Sequence, residues 1–224
     1  MEDYAKAIYA LEQRGDGAAV TTTALAERLS VAPASATAMV KRLAEQDLVT
    51  HEPYHGVRLT ERGRRVALEV IRHHRLLERY LTEELGVPWD RVHEEAEVLE
   101  HVLSEELEAL IAAKLGHPTT DPHGDPIPSV ELEMREPDTV SVEDLQPGDR
   151  GVFVRISDSD PAMLRHLQEC GIALGQSFTV VERQPFGGSL LVRFEGTREP
   201  QVLGIGLARA MRASDVAPPK AVSA

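Results

Sequence analysis

The chain has 224 residues, 42% of them apolar but only 4% aromatic, with 24 Lys and Arg against 37 Asp and Glu and a formal net charge of −13. The absence of any run of about 18 apolar residues argues against a membrane-spanning helix, and the amphipathic, acid-bearing start MEDYAKAIYALEQRG is not a signal peptide. A single cysteine, Cys170, excludes an internal disulfide and suits a reducing cytoplasm, and the length is enough for two domains and a small third.

Tyr4, Ile8, Tyr9 and Leu11 recur at helical spacing and predict a helix over 2–14, which Gly15, Asp16 and Gly17 break. Thr22 or Thr23 can cap a second helix over Ala24–Leu29. Ser30–Ala32 make a turn, and Pro33 fits the first turn of a third helix running to about Gln46. Leu48–Pro53 and Val57–Thr60 alternate around Tyr54-His55-Gly56 as two strands. Helix, helix, turn, helix, then a hairpin is the winged helix-turn-helix order, so residues 1–65 read as a DNA-binding domain. In the third helix, Pro33, Ala34, Ser35 and Thr37 are small or hydroxylated and suit close approach to base edges in the major groove. Lys41 and Arg42 suit phosphates, and His51, His55 and Arg58 on the hairpin offer further backbone contacts. This segment holds 9 Lys/Arg and 9 Asp/Glu, so it grips phosphates weakly as a monomer, and dimerisation would double the contacts.

A long helix over 61–85 follows, ended by Gly86. Pro88 with Asp90 opens another that runs to about Leu103, and Ser104 with Glu105 and Glu106 restarts the chain as a helix to Leu115. Residues 66–128 form the second domain, its end a Pro- and Gly-rich loop from Gly116 to Pro128, and 129–140 is a linker. Residues 66–140 hold 6 Lys/Arg against 18 Asp/Glu, so nearly all the excess acid sits here. His93, Glu97, Glu100 and His101 lie along one side of a helix, and His74 and Glu78 stand one turn apart upstream. Such groups either converge on a divalent cation or form a salt-bridged, solvated face. His73, His117, His123 and His166 read as ordinary surface or core histidines.

From 141 to 216 the segments VSVEDLQPGDRGVFVRI, SFTVVERQ, SLLVRFEG and RAMRA alternate as short strands between Gly and Pro turns, with one helical stretch at Pro161–Cys170. They predict a five-stranded SH3-like β-barrel. Residues 217–224 read as a disordered tail. The fold class is mainly α with small β: winged helix-turn-helix, helical metal-binding and dimerisation domain, SH3-like barrel.

The string HHRLLERYLTEELGVPWDRVHEEAEVLEHVLSEELE, with its pattern H-x-L-x-E-R-x-L…V-H-x-E-A-x-x-x-E-H-x-x-S-x-E between a winged helix and a barrel, resembles the diphtheria-toxin-repressor family of metal-dependent repressors. That family includes the iron-dependent regulators and the manganese transport regulators. The resemblance covers about residues 2–216, and the barrel looks like the FeoA-like domain of the longer members. It implies a cytoplasmic, homodimeric repressor that binds a palindromic operator on double-stranded DNA, with no enzymatic activity, no small-molecule substrate and no membrane partner. A metallohydrolase is the rival of another class, but the chain shows no nucleophile motif and its recognition helix would be unexplained.

Carried over by this resemblance, the regulatory metal site falls on Asp3, Glu97, Glu100 and His101. A second falls on His74, Glu78 and His93, with two metal ions per protomer expected. Longer members complete the second site from the barrel, where Asp158 and Asp160 are the candidates. Iron-responsive relatives carry Met and Cys at the positions of Asp3 and Glu97, and manganese-responsive ones carry Asp and a carboxylate. This chain has the oxygen set, which suits hard Mn(II), with Fe(II) as the alternative. Short manganese regulators have a further Glu one turn after Asp3; here it is Lys6, which cannot ligate while charged and speaks against their tight two-metal cluster. The dimer surface is expected on the 61–85 and 104–115 helices, with apolar positions such as Leu107, Leu110 and Ile111. The expected targets are manganese-uptake genes.

Overall fold

The computed structural model describes residues 1–15, 17–52 and 55–218. Helix α1 (Glu2–Arg14) begins with Glu2 and Asp3 and ends with Arg14, an arrangement that complements the helix dipole. Helix α2 (Thr22–Arg28) starts earlier than expected, because its cap is Thr21, whose Oγ1 accepts from Ala24 N at 3.1 Å. Helix α3 (Pro33–Glu45) has Pro33 in its first turn. Strands β1 (Val49–Glu52) and β2 (Gly56–Leu59) pair antiparallel; the expected turn residue Tyr54 lies outside the described residues. Ile8, Val20, Leu25, Val40, Leu43 and Val57 close the core between these elements. The buried carboxylate of Glu12 on α1 accepts from Leu59 N at 3.0 Å, which fixes the hairpin on the first helix.

Helix α4 (Glu61–Leu85) is capped by Thr60 and stopped by Gly86 at φ 69°. Its N-terminal half packs Ala67, Leu68 and Ile71 against Ala5 and Tyr9 of α1. Its C-terminal half packs Leu76 and Leu77 against α5 (Val92–Leu99) and α6 (Glu105–Lys114), through Ala96, Ile111 and Ala112. Helix α5 is shorter than the expected run to Leu103. Glu100 keeps helical angles (φ −58°, ψ −30°), but the chain then turns so that Ser104 can cap α6, accepting from Leu107 N at 3.3 Å. Ile111 faces this core and not a partner, whereas Leu107 and Leu110 stay exposed.

The loop 116–128 is exposed at its start and mostly buried from Asp121 onward, and it is ordered by Asp121, whose carboxylate accepts from His123 N (2.8 Å) and Asp125 N (2.9 Å). The next segment, expected as a plain linker, lays Leu132 and Met134 on the α1–α4 cluster.

The last unit is an antiparallel sheet of β3 (Val140–Ser141), β4 (Arg150–Ile156), β5 (Ser177–Arg183), β6 (Leu190–Phe194), β7 (Gln201–Leu203) and β8 (Met211–Ala217). Its order is β3-β8-β4-β5-β6-β7. Helix α7 (Pro161–Glu169) and a second, unexpected helix α8 (Ile205–Ala210) cover Phe153, Ile156, Phe194 and Met211. The strands number six and not five: three-residue β7 and six-residue α8 are too short to show a period in the sequence. Ala217, expected in the tail, pairs with Arg150; 219–224 lie outside the described residues.

The sheet docks on the loop 116–128. Ile156 N donates to His123 O at 2.9 Å, Arg155 pairs with Asp125, and Arg165 meets Asp90 at 3.1 Å. Gly124 (φ +86°) lies so close to β4 that a Cβ there would stand 2.0 Å from the Val154 carbonyl oxygen. This docking decides which side chain the loop before α7 presents to the helical domain. Among the described residues, no helix is long and apolar enough to cross a membrane.

Candidate metal centre

Five pieces of chain converge at the junction. α4 brings His74 and Glu78, one turn apart and both buried. α5 brings His93 and Glu97, and the turn after it brings Glu100 and His101. α1 brings Asp3, the loop 116–128 brings His123, and the loop before α7 brings Asp158.

The first group joins α1 to the turn after α5. His101 Nε2 lies 2.9 Å from Asp3 Oδ1 and 3.7 Å from Glu100 Oε1. Asp3 Oδ1 is buried yet makes no hydrogen bond despite this closeness, which is the disposition of two donors facing a common cation. Glu97 stands beside Glu100; with His74 these form a further set whose donor atoms lie within 4.8 Å of one another. Glu100 is 1% exposed, and its carboxylate is held by His74 Nδ1 and by Lys6 Nζ at 2.7 Å. Burial acts to raise its pKa, but the bond to His74 and the charges of His74 and Lys6 outweigh this and keep it below the ordinary glutamate value. The other nitrogen of His101 meets Glu2 Oε2 at 2.7 Å, which orients the ring.

The second group surrounds Glu78. Its Oε1 lies 3.0 Å from His74 Nε2 and 3.3 Å from His93 Nδ1. His93 Nδ1 is also 3.1 Å from Asp158 Oδ2, so the sheet unit supplies one wall of the group. These carboxylates push the His93 pKa up to about 10, Asp158 first and Glu78 second, against the opposing effect of burial. Burial alone would raise Glu78 and Asp158 and lower His74; the mutual hydrogen bonds reverse all three, lowering the acids and raising the imidazole. His74 belongs to both groups, with Nδ1 toward Glu100 and Nε2 toward Glu78.

His123 was expected to be an ordinary histidine. It is fully buried, and its Nε2–H donates to the Trp89 carbonyl at 2.7 Å, which turns Nδ1 to the opposite side. That atom has no hydrogen-bond partner and faces Glu78 Oε2 at 3.9 Å, in a set with Glu78 and Asp158. A buried ring nitrogen without a hydrogen-bond partner, aimed at carboxylates, fits a cation between them. No helical period marks His123, because it stands in the loop DPHGDP; its only sequence signal is a histidine flanked by Asp121 and Asp125. Of the two barrel candidates, only Asp158 joins the centre. Asp160 instead caps α7, accepting from Ala162 N at 2.9 Å.

The residues expected to read DNA do not join these groups. Pro33, Ala34, Ser35, Lys41, Arg42, His55 and Arg58 are exposed. Thr37 Oγ1 donates to the Pro33 carbonyl at 2.9 Å, and Arg58 donates to the Gly17 carbonyl, so both are held within the domain.

Comparison with known proteins names this arrangement. Residues 1–57 match the N-terminal DNA-binding domain of iron-dependent repressors, 60–129 their metal-binding and dimerisation domain, and 140–213 the FeoA domain. The iron-dependent repressor IdeR of Mycobacterium bovis is 35% identical over 203 residues, covering 85% of this chain and 87% of that protein. The chain belongs to the iron-dependent repressor family. The diphtheria toxin repressor of Corynebacterium jeikeium is 37% identical over 164 residues, 71% of this chain and 68% of its own length. Among solved structures, a manganese-dependent transcriptional repressor in complex with manganese is 41% identical, with a TM-score of 0.85 over 95% of this repressor and 98% of that chain. The manganese regulator SloR is 28% identical, with a TM-score of 0.74 over 95% and 97%. This repressor is thus a metal-dependent, DNA-binding transcriptional regulator and not an enzyme, with DNA and a second subunit as its partners.

Proposed function

We propose that this repressor senses Mn(II) in the cytoplasm, binds palindromic operators as a homodimer when loaded, and controls manganese uptake. The observation that carries this reading is the donor set: among the described residues, carboxylate oxygen and imidazole nitrogen supply the clustered ligands, and no cysteine stands among them. Carboxylates suit hard Mn(II), whereas thiolate or thioether would favour softer ions. The solved manganese repressors support the same reading.

Asp3, Glu97, Glu100 and His101 would hold the regulatory ion, and His74, Glu78, His93, His123 and Asp158 the second, two ions per protomer. A bound cation supplies the positive charge these acids share. Asp3 sits on α1 and the other regulatory ligands on the helical domain, so shared ligation orients the DNA-binding domain on the dimer core. Two α3 helices can then be set about one DNA turn, ~34 Å, apart. Moving the competent population from about 1% to about 99% needs roughly 5.5 kcal/mol of differential affinity. Asp158 makes the sheet unit a ligand donor, so its docking contributes to that coupling.

An iron-responsive reading has support from the iron-dependent curated relatives. Operator binding by the metal-depleted protein, titrated with Mn(II) and with anaerobic Fe(II) at matched free concentrations, decides between them. Activation at lower free Mn(II) is expected; stronger activation by Fe(II) would overturn the manganese assignment.

A further inference from the structure

Lys6 stands on the face of α1 that looks at the regulatory ligands. Its Nζ lies 2.6 Å from Glu97 Oε1 and 2.7 and 3.0 Å from the two oxygens of Glu100. It is the only lysine or arginine paired with either acid among the described residues. Both acids are ligands in the reading given above, on which this inference rests. Glu100 is almost wholly buried, where a carboxylate requires a compensating charge.

We propose that Lys6 is a tethered cation that competes with the metal for Glu97 and Glu100 and so sets the concentration at which the repressor responds. An ammonium ion cannot share a carboxylate oxygen with a divalent ion at contact distance without strong repulsion. Metal entry therefore requires Nζ to give up at least one of its three contacts. The same contacts hold α1 against the end of α5, so the competitor also restrains the DNA-binding domain. The neighbouring acids on α1, Glu2 and Asp3, pair with His101, so from α1 it is Lys6 that reaches Glu97 and Glu100, beside the histidines that also meet these acids. Sensing is thereby set to a higher free-metal level than the acids alone would give, as a sensor of an abundant ion needs.

The test uses full-length Lys6→Gln and Lys6→Arg proteins. Calorimetry and operator binding read the free Mn(II) at half-saturation, and hydrogen exchange reads the α1 amides in chelator. Lys6→Gln is expected to lower the half-saturating Mn(II) by about tenfold or more and to speed exchange of α1 in chelator. Lys6→Arg is expected to stay near wild type on both readouts. A threshold that is unchanged or raised in Lys6→Gln would overturn the proposal, since a lysine that merely preorganised the acids would raise it when removed. Unchanged α1 exchange would likewise overturn the tether. The underlying site assignment fails separately, by retention of metal-dependent operator binding in Glu100→Gln.

Discussion

Replacing Gly124 by Ala should detach the sheet unit from the second metal group while leaving the regulatory group in place. The added Cβ would stand 2.0 Å from Val154 O, 2.9 Å from Arg155 Cα and 3.0 Å from Val154 C, all backbone atoms. Contacts under 3.0 Å are not sustained, so β4 must retreat by about 1 Å. The positive φ of +86° adds strain of about 1–2 kcal/mol for a residue with a Cβ. Retreat breaks the Ile156 N to His123 O bond of 2.9 Å, worth about 1 kcal/mol, and carries Asp158 away from its 3.1 Å contact with His93. Losing one ligand and the alignment of its neighbours should weaken the second site by about 10–100-fold, or roughly 1.4–2.7 kcal/mol. Calorimetric Mn(II) titration resolves the two sites, and exchange of the Ile156 amide reports docking. The expected result is a weakened site beside an unaltered one. Two sites of wild-type affinity in a well-folded Gly124→Ala protein would refute the placement of Asp158 in the centre.

Other outcomes follow from single contacts. His93 has its pKa raised from 6.5 to about 10, so its charged contacts stabilise the metal-free protein fully below 6.5 and are lost as pH rises through about 10. Ligation needs the neutral ring, so Mn(II) binding should release protons near neutrality and tighten as pH rises. Calorimetry in buffers of different ionisation enthalpy should show less release in His93→Gln; equal release would exclude His93 as a ligand. Leu107 and Leu110 are 49% and 62% exposed on α6. Leu110→Glu should make sedimentation report a monomer, since losing two buried leucines costs a dimer about 3–6 kcal/mol. A persistent dimer would place the interface elsewhere.

Much of this organisation was legible in the residues because it is periodic. The boundaries of α1, α3 and α4 follow from Tyr4, Ile8 and Tyr9, from Pro33, and from Gly86, each a local physical signal. Glu97, Glu100 and His101 share one side of a turn, a spacing that suits a salt-bridged face as well as a metal site; the resemblance to the repressor family assigned them to a regulatory site. What stayed hidden was set by packing over long sequence separations. His123 faces Glu78 from a loop with no period, and Asp158, offered only by the resemblance, reaches His93 through the docking of the sheet on that loop, which no spacing encodes. Asp160 resembles Asp158 in the sequence, but the first turn of α7 needs a cap and takes it. Ile111 has the same character as Leu110, and only its rotation around α6 assigns it to the core. Lys6 could be recognised as a non-ligand from its charge; that it grips two ligands required α1 and α5 to be seen together.

In the proposed switch, Asp3 on the DNA-binding domain shares an ion with Glu97, Glu100 and His101. The most direct measurement is fluorescence anisotropy of a palindromic duplex, selected in vitro with Mn-loaded protein, against wild type and Asp3→Asn in chelator and in saturating Mn(II). Mn(II) is expected to tighten binding by the wild type strongly, whereas Asp3→Asn binds weakly in both conditions while still taking up metal at the second site. An Asp3→Asn protein with the full metal dependence of the wild type would contradict that switch.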